Sequence, residues 1–136
     1  GLHSSKRRFI LLDLKTGTAE KYLTSHGKGS DPDGNGYVNS FSNAEGSNQT
    51  SLGFYKTDEV YVGKHGRSMR LQGLSSTNSN AYARAIVVHG AAYVSEVSNS
   101  AGRSLGCPAL DNQVVQAVID KLRGGSMMLI ATSRAL

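Results

Sequence analysis

Ala85-Ile86-Val87-Val88-His89-Gly90, followed by Gly102-Arg103-Ser104-Leu105-Gly106-Cys107-Pro108 and then by Asp111, is the stretch from which the rest of the chain can be read. The apolar run before His89 suits a strand covered on both faces, and the pattern predicts a strand over 81–89 with the histidine at its C-terminal end. Beyond the loop, Val114, Val115, Val118, Ile119 and Leu122 fall on one stripe, with Asp111 able to cap the first turn and Gly124-Gly125 able to end the helix. A buried strand is expected over 126–132. Working towards the N-terminus, short strands are expected over 52–55, 60–63 and 68–72, each bounded by Gly, Asp or Ser. Residues 27–49 are dominated by Gly, Ser, Asn and Asp, so regular structure should fail there, and a loop of that length in a small domain usually has a role. At the start, residues 7–15 and 19–25 read as a hairpin closed at Lys15-Thr16-Gly17-Thr18, with both faces of its first strand buried. The expected fold class is mainly β, with mixed sheets and one helix after the cysteine loop.

The 136 residues, 38% hydrophobic, fit a single domain over 1–136. Apolar runs fall well short of the ~20 residues that cross a bilayer, so a soluble domain without membrane insertion is expected. No apolar signal region follows Gly1-Leu2-His3-Ser4-Ser5. With no Trp, six Tyr, three Phe and no basic cluster beyond Lys6-Arg7-Arg8, a stacking platform for nucleic acid is not evident. A net charge of +5 favours an acidic partner and says nothing about chemistry.

The single cysteine can form no internal disulfide and no two-cysteine zinc clasp. Cys107 therefore has a packing reason or a chemical one. As a small buried hydrophobe it would need nothing from His89; as a nucleophile it needs a base within reach and backbone N–H groups to receive an oxyanion. The loop context, with Gly106 before the thiol and Pro108 after it, favours the second reading without closing the first.

His89-Gly90 followed by Ser104-Leu105-Gly106-Cys107 resembles the signature of L,D-transpeptidase (YkuD-type) catalytic domains. The likeness extends to the murein L,D-transpeptidase catalytic domain subfamily through Phe41-Ser42-Asn43, Glu45-Gly46-Ser47-Asn48, Ser51-Leu52-Gly53-Phe54-Tyr55, Gly63-Lys64-His65-Gly66 and 102–110, in the same order along most of the chain. The resemblance implies a β-rich cysteine acyltransferase acting on peptidoglycan tetrapeptide stems in the periplasm or cell wall, a monomer without metal or organic cofactor. Cys107 would attack the carbonyl of the third residue and release D-Ala, passing the acyl group to an amine (L,D-transpeptidase) or to water (L,D-carboxypeptidase). His89 would be the base, the Gly90 carbonyl would fix its tautomer, and the N–H groups of Leu105, Gly106 and Cys107 would form the oxyanion hole.

Two departures stand out. Leu105 replaces the usual histidine before Gly-Cys, and Ala109-Leu110 stand where an arginine is usual. Arg103, Arg84 or Arg70 would then receive the substrate carboxylate, Ser104 would bond the substrate backbone or cap the loop, and Tyr93 would give a phenol to the site or pack over it. His26 is expected as a polar loop histidine lining the cleft, and His65 likewise. Two other functions remain open. His26 and Asp33 have the spacing of a zinc peptidase, lacking its third ligand, and a non-catalytic peptidoglycan-binding module would leave the thiol without work.

Overall fold

The computed structural model describes residues 1–134; Ala135 and Leu136 of the expected 1–136 domain lie outside the described residues. A hairpin comes first, with β1 (Phe9–Asp13) antiparallel to β2 (Thr18–Tyr22). Its first strand is not buried on both faces. Phe9 is buried and Leu11 packs on the core, but Ile10, Leu12 and Leu14 stand in solvent, Leu14 at 91% exposure. A two-stranded ribbon has one face to bury, and the apolar content of its sequence does not report what is available to cover the other.

The short β3 (His26–Gly27) precedes a 3-10 turn at Lys28–Ser30, after which the chain runs without regular structure until β4 (Gly53–Gly63). β4 is one long strand where two short ones are expected. Its pairing with β5 (Gly66–Gly73) slips between Thr57 and Val60, so Asp58 and Glu59, which read as a break, sit at an irregularity inside the strand. β6 (Val87–Gly90) begins later than the apolar run suggests, because Ala85 takes a left-handed φ of 54° and ends a turn. Two-residue strands follow at β7 (Val94–Ser95), β8 (Ser100–Ala101), β9 (Arg103–Ser104) and β10 (Ala109–Leu110). The helix α1 (Val115–Leu122) comes next, then β11 (Met127–Ile130). Asp111 does open the helical segment, from a turn earlier: its carboxylate accepts the Gln113 N–H at 2.7 Å and its carbonyl accepts from Val114 and Val115.

The main sheet has the order β10-β6-β5-β4-β11, with β10 parallel to β6 and the other pairs antiparallel. Tyr55, Met69, Leu71 and Val88 from this sheet meet Val115, Val118 and Ile119 of α1 in the core. β11 is a sheet edge and not a buried strand, with Met127 at 60% and Leu129 at 47% exposure. β3 pairs with β9 in parallel, and β7 with β8 antiparallel. The architecture is mainly β with a single α-helix, as the sequence pattern predicts. Among the described residues no helix is long and apolar enough to cross a membrane.

Candidate active site

The β6–β10 pairing brings the two halves of the loop motif together. Ala109 is opposite His89 and Leu110 opposite Gly90, so the segment holding Cys107 runs in alongside the start of β6, at Val87. The ends of central strands are places where a rigid sheet can present side chains to a cleft. His89 is buried, and its Nδ1 lies 2.9 Å from the Gly90 carbonyl oxygen. A carbonyl can only accept, so Nδ1 carries the proton and the Nε2 lone pair is left free. Burial holds the imidazole below the ordinary histidine pKa of 6.5 against the opposing effect of the Gly90 bond, and the charges of His65 and Lys64 push the same way as burial. A Cβ at Gly90 would stand 2.3 Å from Asn112 Oδ1 and 3.0 Å from Val115 Cγ1, so the Asn112 side chain would have to move aside, where the chain turns towards α1.

Cys107 is partly buried and packs against the main core, so the packing role that its sequence allows is real. Its sulfur also faces polar backbone. The Ala85 carbonyl is 3.6 Å from Sγ, and the Val87 N–H points at the sulfur. Ala85 reaches this place through its left-handed turn, a backbone cost of the kind found at functional sites. Burial pushes the thiol pKa up, while the Val87 N–H and the charges of Arg84 and Lys64 favour the thiolate. The two shifts both run towards the uncharged forms.

Around the thiol the loop is closed by hydroxyls. Ser104 Oγ donates to the Cys107 carbonyl at 2.7 Å and accepts the Gly106 N–H at 3.2 Å, and Ser25 Oγ reaches the same carbonyl at 3.3 Å. Ser104 is thus a loop-closing residue with its hydroxyl occupied, not one offered to a substrate backbone. The Gly106 N–H is likewise engaged, which leaves the N–H groups of Leu105 and Cys107 as the oxyanion donors expected from this loop. Gly106 takes a φ of 121°, and a Cβ there would meet the Gln49 carbonyl at 2.8 Å, so both backbone shape and space demand glycine. Leu105 points outward at 55% exposure.

The three arginines expected to bind a carboxylate each make contacts within the fold. Arg103 donates to the carbonyl oxygens of Asp31, at 2.5 Å, and Pro32. Arg84 holds Ser42 O, Ser47 Oγ and Gln49 O, fastening the long loop beside Gly106. Arg70 pairs with Glu59 at 2.8 Å and lies over the Tyr61 ring. Tyr93 is exposed at 39%, and burial of its phenol, followed by the charge of Cys107, pushes its pKa up.

His26 does not line a cleft. It is buried, with Nδ1 facing an Arg8 nitrogen at 3.1 Å and Nε2 on Asp31 Oδ2 at 3.1 Å. Both nitrogens are taken, and its carboxylate neighbour is Asp31 in place of the exposed Asp33. Among the described residues no group of three or more His, Cys, Asp or Glu side chains is placed to hold a metal, so the zinc arrangement is not assembled. The residue that sequence reasoning undervalued is His65. At the tip of the β4–β5 hairpin, it stacks on His89 with ring centroids 4.1 Å apart and planes 16° apart. Only the Gly63-Lys64-His65-Gly66 motif hinted at it.

The L,D-transpeptidase catalytic domain family (YkuD_2) matches residues 1–131. This chain belongs to the L,D-transpeptidase catalytic domain family. Its members are enzymes of peptidoglycan metabolism that act on stem peptides. The structure of Bdellovibrio bacteriovorus Bd1075 is similar over 93% of this chain and 48% of that one, at 16% identity and a TM-score of 0.49. The present L,D-transpeptidase domain thus spans about half the length of that chain. No curated protein matches the sequence.

Proposed function

We propose that residues 1–136 act as one catalytic domain that cleaves peptidoglycan tetrapeptide stems through a thioester on Cys107, in the periplasm or cell wall. The observation that supports this reading is the orientation of His89, whose Nδ1 proton is held by the Gly90 carbonyl, together with a parallel β6–β10 register in which Cys107 comes two residues ahead of the partner of His89. As Sγ attacks the carbonyl of the third stem residue, Nε2 takes the thiol proton and the carbonyl oxygen becomes an oxyanion facing the N–H groups of Leu105 and Cys107. The C–N bond to D-Ala then breaks, the proton passes from His89 to the leaving amine, and the acyl group remains on sulfur. An amine or a water attacks the thioester, gives its proton to His89, and the proton returns to Cys107 as the product leaves.

The test is incubation of the wild type and Cys107→Ala with disaccharide tetrapeptide, with EDTA in a parallel arm and products read by mass. Release of D-Ala that requires Cys107 and ignores EDTA is the expected result. A tripeptide product names the carboxypeptidase, a cross-linked dimer the transpeptidase, and turnover that survives the alanine overturns the thiol reading.

A further inference from the structure

The three candidate arginines each hold contacts within the fold, so a cation without such contacts is the better match for a tetrapeptide's C-terminal carboxylate. That carboxylate is two covalent bonds beyond the scissile nitrogen, so its binding group must stand beside the residue that protonates that nitrogen. In the proposed reaction this residue is His89. The hairpin tip reaches it, because His65 stacks on the His89 ring and Lys64 is its neighbour in the same turn. Lys64 is exposed, has no ion-pair partner among the described residues, and is the chain neighbour of the ring that stacks on His89.

We propose that Lys64 is the specificity-determining residue of the site, receiving the free C-terminal carboxylate of the leaving D-Ala while His65, stacked on His89, holds the hairpin tip in place. The inference rests on the stem-peptide reading and goes beyond it by naming how the end of the stem is recognised. It also has a mechanistic consequence. An incoming carboxylate neutralises Lys64 just as His89 must become an imidazolium, so substrate binding removes a like charge at the moment when it would oppose proton transfer.

Binding to Cys107→Ala separates this from the chemistry. Titration calorimetry would compare the tetrapeptide, its C-terminal amide, and an analogue with lysine in place of diaminopimelate, each against Cys107→Ala alone and combined with Lys64→Met or Lys64→Arg. The expected result is a preference of about tenfold for the free acid over the amide. Lys64→Met abolishes it, Lys64→Arg keeps it, and the lysine analogue retains it because the distal carboxylate is not the one bound. Equal affinities for acid and amide, or a preference that survives Lys64→Met, would overturn the proposal, as would a preference carried by the diaminopimelate carboxylate. Absence of turnover in the wild type with the Lys64-dependent preference intact would count against the thioester chemistry and leave the binding role standing.

Discussion

Two buried histidines each sit on a parallel pair of short strands, His26 on β3 against β9 and His89 on β6 against β10, and their surroundings differ in one respect that decides what each can do. Arg8 can only donate, so Nδ1 of His26 is the acceptor and its Nε2–H goes to Asp31; the ring is neutral and fully used. His89 spends only one nitrogen, on Gly90. Burial lowers both pKa values and the two are alike in sequence, each being followed by glycine. A free lone pair, rather than burial or a displaced pKa, marks the histidine that can take a proton. The His26 pair instead shapes the loop: Asp31 also accepts the N–H groups of Asn35 and Gly36, and its carbonyl receives Arg103, whose neighbour Ser104 closes the cysteine turn.

The sharpest way to break this contrast is substitution at both places. His89→Ala should lower kcat by at least about a thousandfold with little change in melting temperature, whereas Asp31→Ala strands His26 and two loop N–H groups. The latter variant should lose about 2–3 kcal/mol in urea unfolding while its folded fraction keeps the chemistry. If the two effects exchanged places, the assignment of one histidine to catalysis and one to structure would be wrong.

A second test uses pH. Both rings refuse protons that the unfolded chain accepts, so stability should be full above the ordinary histidine range and fall as pH drops through 6.5 towards the lower folded values. Activity follows His89 alone. Its acidic limb should lie below 6.5, because burial, joined by the charges of His65 and Lys64 on the hairpin, outweighs the Gly90 bond. His65→Phe keeps the stack and removes the charge, so kcat should hold while the limb moves up, whereas His65→Ala should cost up to about tenfold in kcat as well. A limb that stays in place for both variants would remove His65 from the site. At the small end, Leu12→Gln on the outer face of β1 should change stability by less than about 0.5 kcal/mol, as measured by thermal melting.

The mainly β class and the family were legible because they depend on local pattern and on motifs in a fixed order. The errors have physical sources. An apolar run does not say where a left-handed residue will cut it, so β6 starts after Ala85 and not at residue 81. Alternating apolar residues do not reveal what covers them, which is why β1 and β11 read as buried and are edges. Charges do not announce their partners: Arg70, Arg84 and Arg103 each hold contacts within the fold that the sequence does not show, and Lys64 and His65 gain meaning only when a hairpin folds over a strand distant in sequence.

The central claim is that acyl groups pass through the Cys107 sulfur. Acid quenching of wild-type protein during turnover of disaccharide tetrapeptide, followed by intact-mass and peptide mapping, tests it most directly. An adduct equal to the substrate less D-Ala, located on the peptide containing Cys107 and missing from Cys107→Ala, is the predicted result. Sustained turnover with no adduct at any quench time, in protein whose Cys107→Ala variant remains active, would contradict it.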